Sequence, residues 1–142
     1  NKVYASVSNL YWDVDVEDNV FAILENSKKG IAVSLHSTIT QWRHLFSLEI
    51  FLEKGYMVLN GLKTSSNTYG TEKLTIAKSR STAPSATWKD EKNITFKLDN
   101  SWKNEIKMFI NAVEKNSMPE IGNSADGLKI MQIVDRIYEY KK

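Results

Sequence analysis

The feature that most limits how this chain can fold is a change of hydrophobic period about two thirds of the way along it. Up to Leu98, apolar and polar residues alternate in short runs; beyond Ser101, apolar residues recur every three or four positions. A period of two sends successive side chains to opposite faces of a strand, whereas a period near 3.6 lays an apolar stripe along a helix. Strands therefore come first and helices last, which defines an α+β fold with a mainly antiparallel sheet rather than an alternating α/β one.

About seven strand runs are legible. Val3, Ala5 and Val7 open the series, followed by residues 20–24 and by Ile31, Val33 and Leu35. Phe46, Leu48, Ile50 and Leu52 come next, answered by Tyr56 and Val58; Leu74 and Ile76, then Ile94, Phe96 and Leu98, complete it. Gly30 and Gly55 lie in the short connections, where glycine supplies the positive φ that tight hairpin turns use. In DNSWKNEIKMFINAVEKN the apolar residues Trp102, Ile106, Phe109, Ile110 and Val113 share one helical face, with Asp99, Asn100 or Ser101 available as the N-cap. After IGNSADG a second helix carries Leu128, Met131, Val134, Ile137 and Tyr138 at the same spacing.

The expectation is one domain over residues 1–142: an open antiparallel sheet of about six or seven strands with both C-terminal helices packed on one face. Burial of a side chain such as Phe109 would contribute about 1.5–3 kcal/mol, making the helices integral to the fold. The stretch SRSTAPSAT, residues 79–87, reads as a mobile loop. The sequence enters a strand pattern directly at Asn1, without a methionine, which predicts a processed or excised piece of a longer chain.

Composition removes several kinds of chemistry. Without cysteine there is no disulfide, thiolate metal site or cysteine nucleophile. The net charge is +2 and the lysines are scattered, unlike the clustered basic stripe of a nucleic-acid binder. No apolar run has the length of a membrane span, so a soluble, cytoplasmic protein with neither membrane nor nucleic-acid partner is expected. No two glycines stand two apart, as a dinucleotide fingerprint requires, and in GYMVLNGLKT the glycines and lysine are out of register for a phosphate-binding loop. DVDVEDN, residues 13–19, lacks the glycine and the distal glutamate of a calcium loop and reads as a solvated connection. The triplet Asn93, Ile94, Thr95 is a glycosylation sequon of a kind that arises by chance.

The candidate binding residues are His36, Trp42, Arg43 and His44. Histidine titrates near neutrality, yet neither His36 nor His44 has sequence companions that complete a triad or a metal site, so no metal is expected. In GIAVSLHSTITQWRHLF, Ala32, Ser34 and His36 alternate with Ile31, Val33 and Leu35, which makes one strand face small and polar. Trp42, Arg43 and His44 then fall in the connection to the next strand, where binding groups are often carried on a rigid scaffold. A hairpin cap with Trp42 packed at its edge fits the pattern equally well.

The ordered set VEDNVFAILENSKKGIAVSLHSTITQWRHLFSLEIFLEKGYMVLNGL, YGTEKL, DNSWKNEIKMFINAV and SADGLKIMQIVDRIYE resembles the C-terminal domain of the Gfo/Idh/MocA oxidoreductases, over nearly the whole chain from about Val16. The resemblance implies an N-terminal Rossmann domain of the same polypeptide that binds NAD or NADP and carries the catalytic residues. This chain by itself would then have no catalytic residue, bind no cofactor and be inactive. Its part would be to shape the site for a sugar, sugar derivative or polyol through His36, Trp42, Arg43 and His44, and to form a homo-oligomer through the open sheet face. In KTSSNTYG, residues 63–70, this sequence departs from the resemblance, replacing the glycine-rich turn of related sequences. The alternative is a stand-alone, non-enzymatic binding or assembly module with the same fold.

Overall fold

The computed structural model describes residues 2–79, 83–84 and 87–140, so most of the loop expected over residues 79–87 lies outside the described residues. Seven strands and two α-helices follow the expected order, with a short 3-10 turn at Trp88–Asp90. The strands are β1 (Lys2–Ser8), β2 (Asn19–Asn26), β3 (Ile31–Thr38), β4 (Ser47–Leu52), β5 (Gly55–Asn60), β6 (Glu72–Lys78) and β7 (Lys92–Phe96); the helices are α1 (Ser101–Glu114) and α2 (Ser124–Glu139). Every pairing is antiparallel. The fold is α+β. Its strands are divided between two sheets, β1-β2-β3 and β4-β5-β6-β7, because β3 and β4 form no ladder across the connection that holds Trp42 to His44.

The chain separates into two compact units, Asn1–Gln41 with Ile106–Lys142, and Trp42–Glu105. In the first unit the β2–β3 turn closes at Gly30, whose φ of 63° is the conformation predicted for it. The register sets Val3, Ala5 and Val7 opposite Leu24, Ala22 and Val20, so one face of the sheet is apolar across both strands. Helix α2 packs there: Ile137, 7% exposed, joins Val7 and Ala22 in the core, flanked by Val3, Ala5, Val20 and Leu24. Asn123 caps α2 by accepting the Asp126 amide at 3.1 Å.

In the second unit each strand of β4-β5-β6-β7 hydrogen-bonds to the next in sequence order. Gly55 at the β4–β5 turn has φ 153°, and a Cβ there would stand 2.3 Å from the Ala77 carbonyl oxygen, so no other residue fits. Thr75 and Ala77 are buried, and the Thr75 hydroxyl is satisfied by Asn93 Oδ1, directly opposite it in the ladder, at 2.7 Å. Tyr56 donates its hydroxyl to Glu91 at 2.7 Å.

Helix α1 begins where Asp99 accepts the Ser101 amide at 3.0 Å and its hydroxyl at 2.6 Å. It ends in a Schellman motif: Asn116 turns left-handed at φ 48°, its amide bonds Val113, and the Ser117 amide bonds Ala112. Only Ala112 of α1 is buried. Phe109, expected inside, is 62% exposed, and the apolar stripe from Trp102 to Val113 faces solvent with it. Period alone establishes that a helix has an apolar face, not that a partner covers it.

Candidate functional site

His36 stands on β3 opposite Phe21 of β2, and their rings stack at 4.0 Å between centroids with 6° between planes. Asn19, two residues before Phe21 on the same face, reaches His36 Nε2 with its Oδ1 at 2.9 Å. The imidazole is thus fixed in orientation by a ring and an amide. Among the described residues its other nitrogen, Nδ1, has no partner and is open to a hydrogen bond with a ligand.

This face of the first sheet lies opposite the one that α2 covers. It forms an open concavity of about 590 Å³ lined by Tyr4, Phe21, Ile23, Ser34, His36 and Tyr140. Tyr4 and Tyr140 meet edge to face at 5.9 Å. The small residues of β3 therefore leave room above an aromatic floor supplied by β1 and β2. The sequence reading singled out His36 but missed Phe21 and Asn19; the signal for both was the period-two pattern of NVFAILEN once its pairing to IAVSLHST is known.

Trp42, Arg43 and His44 open the second unit. Trp42 is fully exposed, so it is not packed at a hairpin edge. Arg43 is also exposed and, among the described residues, has no ion-pair partner. The His44 ring lies 4.9 Å from that of Tyr69, tilted by 48°. Tyr69, in the stretch where the sequence departs from the resemblance, is thus brought against one of the three candidates of this segment. Close by in sequence, Lys63 donates to Asn67 Oδ1, and the hydroxyls of Thr64, Ser66 and Thr68 form a chain at 3.1 and 3.0 Å. A smaller concavity of about 390 Å³ is lined by Lys63, Asn67, Thr71, Thr95 and Lys97.

The acidic stretch before β2 differs from its sequence reading. Asp13 and Asp15 are exposed, as a solvated connection requires, but Asp18 is 2% exposed. Burial pushes its carboxyl up, yet the backbone amides of Trp12, Tyr11 and Leu10 outweigh that effect and hold it below the ordinary aspartate value. Nearby, Glu17 accepts the Tyr138 hydroxyl, and that bond, with burial second, raises the phenol above its usual range. Among the described residues no three histidine or carboxylate side chains converge as metal ligands, and no helix is long and apolar enough to cross a membrane. No family model, curated protein or solved structure matches the chain.

Proposed function

We propose that this chain is the substrate-side and subunit-contact domain of an oxidoreductase similar to the Gfo/Idh/MocA enzymes, acting on a sugar, sugar derivative or polyol. The observation that carries the reading is the ordered motif set, together with an antiparallel sheet whose one face is covered by α2 and whose opposite face holds the fixed His36 above an aromatic floor.

Every strand pairing is antiparallel, and neither α1 nor α2 opens on a glycine-rich turn directly after a strand. In this reading NAD or NADP belongs to a preceding Rossmann domain. The chain's own residues bind and orient. Arg43 offers a free planar donor fork to a carboxylate or phosphate of the substrate. With Nε2 donating to Asn19 Oδ1, Nδ1 of His36 accepts a hydrogen bond from a hydroxyl, and the aromatic floor accepts the apolar face of a sugar ring or of a second subunit.

The test is Arg43→Ala in the full-length enzyme. Charge-assisted hydrogen bonds are worth about 1.5–3 kcal/mol, so kcat/KM should fall by about ten- to a hundredfold while the melting temperature holds. Unchanged kcat/KM with a lowered melting temperature would assign the segment a purely structural role. A coding sequence that starts at Asn1, with no Rossmann domain before it, would favour the non-enzymatic module.

A further inference from the structure

We propose that Asp18 is the latch of an aromatic flap, residues 9–17, which it holds closed on the exit of β3 so that flap and exit open together. Asp18 works in three directions at once. Its carboxylate takes the amides of Leu10 at 3.0 Å, Tyr11 at 2.7 Å and Trp12 at 3.0 Å. Its own amide donates to the Ser8 carbonyl at 3.0 Å, at the end of β1. Its carbonyl receives the Ile39 amide at 2.9 Å and the Thr38 hydroxyl at 3.0 Å, just where β3 ends. The flap then reaches across to the same place, since the Trp12 indole donates to the Ile39 carbonyl at 3.2 Å.

What holds this flap is polar contact, not packing. Leu10, Tyr11, Val14 and Val16 are all exposed, and Trp12 meets Tyr11 edge to face at 5.0 Å on the outside. Within the flap, Asn9 donates its side-chain amide to the Val14 carbonyl, and the Val14 amide bonds Trp12 at 3.0 Å. Glu17 anchors its far end to Tyr138 of α2. A segment with few buried apolar contacts opens at low cost, independently of the core beneath it. A carboxylate withdrawn from water is tolerated only with several donors, so these amides and Asp18 hold or release one another as a set.

The exit of β3 leads along the chain to Trp42, Arg43 and His44, so opening of the flap frees the chain just before that segment. The experiment involves no substrate and stands apart from the function proposed above. Amide hydrogen exchange is measured by NMR on the whole chain for the wild type, Asp18→Asn and Trp12→Phe. An asparagine keeps the shape but loses the charge that strengthens all three bonds, and it sets an amide nitrogen in place of the second oxygen that faces the Leu10 amide. Exchange at positions 10, 11, 12 and 39 should rise together by about tenfold or more in Asp18→Asn, and by clearly more than at the β1–β2 ladder amides. Trp12→Phe, which removes only the indole donor, should accelerate position 39 and leave the ladder alone. Faster exchange at 10–12 with position 39 unchanged would overturn the coupling, and a uniform rise including the ladder would reduce Asp18 to general support of the fold. If Asp18→Asn does not fold, an unchanged position 39 in Trp12→Phe overturns the proposal by itself.

Discussion

The loop before β2 and the loop before β6 are alike in length, yet they are ordered by opposite means. In residues 9–17 a single buried carboxylate gathers backbone amides that would otherwise be left without partners. In residues 63–70 the ties lie at the surface: Lys63 to Asn67, the Thr64, Ser66 and Thr68 hydroxyl chain, and Tyr69 beside His44. Of these second-loop ties, only the Lys63 amide bond to Glu72, at 2.7 Å, is partly buried. Water can replace an exposed hydroxyl contact at little cost, whereas donors converging on a buried acid have no substitute. How strongly a loop is held therefore depends on whether its ties are withdrawn from water.

Substitutions in the two units can break or sharpen this contrast. The largest loss should come from the packed centre of the first unit: Ile137→Ala is expected to lower unfolding stability by about 2–4 kcal/mol in denaturant titration, since removal of a large aliphatic side chain leaves a cavity beside Val7 and Ala22. A negligible effect would mean that α2 contributes nothing to the sheet.

Asp18→Asn should follow, with a pH signature. Because the carboxyl is held below its unfolded value, its stabilisation is complete above the ordinary aspartate pKa of about 3.9 and is lost as pH falls through the folded value. The melting temperatures of wild type and variant should therefore differ at pH 7 and converge on acidification below about pH 4. A gap independent of pH would contradict the role of the charge.

In the second unit Tyr56→Phe removes the hydroxyl bond to Glu91, and a smaller drop is expected. That bond, then burial, raises the phenol, so its contribution is complete below about pH 10 and disappears as pH rises through the folded value. Melting curves of both proteins at pH 8 and pH 11 would test it. The smallest effect belongs to the hydroxyl chain: Thr64→Val should change stability by no more than about 0.5 kcal/mol. A loss as large as that of Asp18→Asn would erase the distinction between the loops.

Much of the fold was legible because its causes are local. Alternation located all seven strands, although Phe46 and Leu98 fall just outside β4 and β7, and apolar spacing located α1 and α2. Gly30 and Gly55 marked hairpin turns because the positive φ they adopt is a property of the residue itself. Of the candidate site, His36 could be placed on a polar strand face, but its stacking on Phe21 and its bond to Asn19 depend on the β2–β3 register. Asp18 was unreadable for a related reason. In DVDVEDN three aspartates look alike, and only the return of the chain at Leu10 to Trp12 and at Ile39 separates the buried one from the two exposed.

The sequence by itself determined the order and type of the elements, the turns between neighbouring strands and the absence of cysteine chemistry, because backbone preference and side-chain period act over a few residues. Tertiary structure alone decided that the seven strands form two sheets, that Ile137 is buried while Phe109 is exposed, and that one aspartate in an acidic run becomes the hub of a loop. Each of these depends on which distant segment arrives to pair, cover or donate, and no local pattern carries that information.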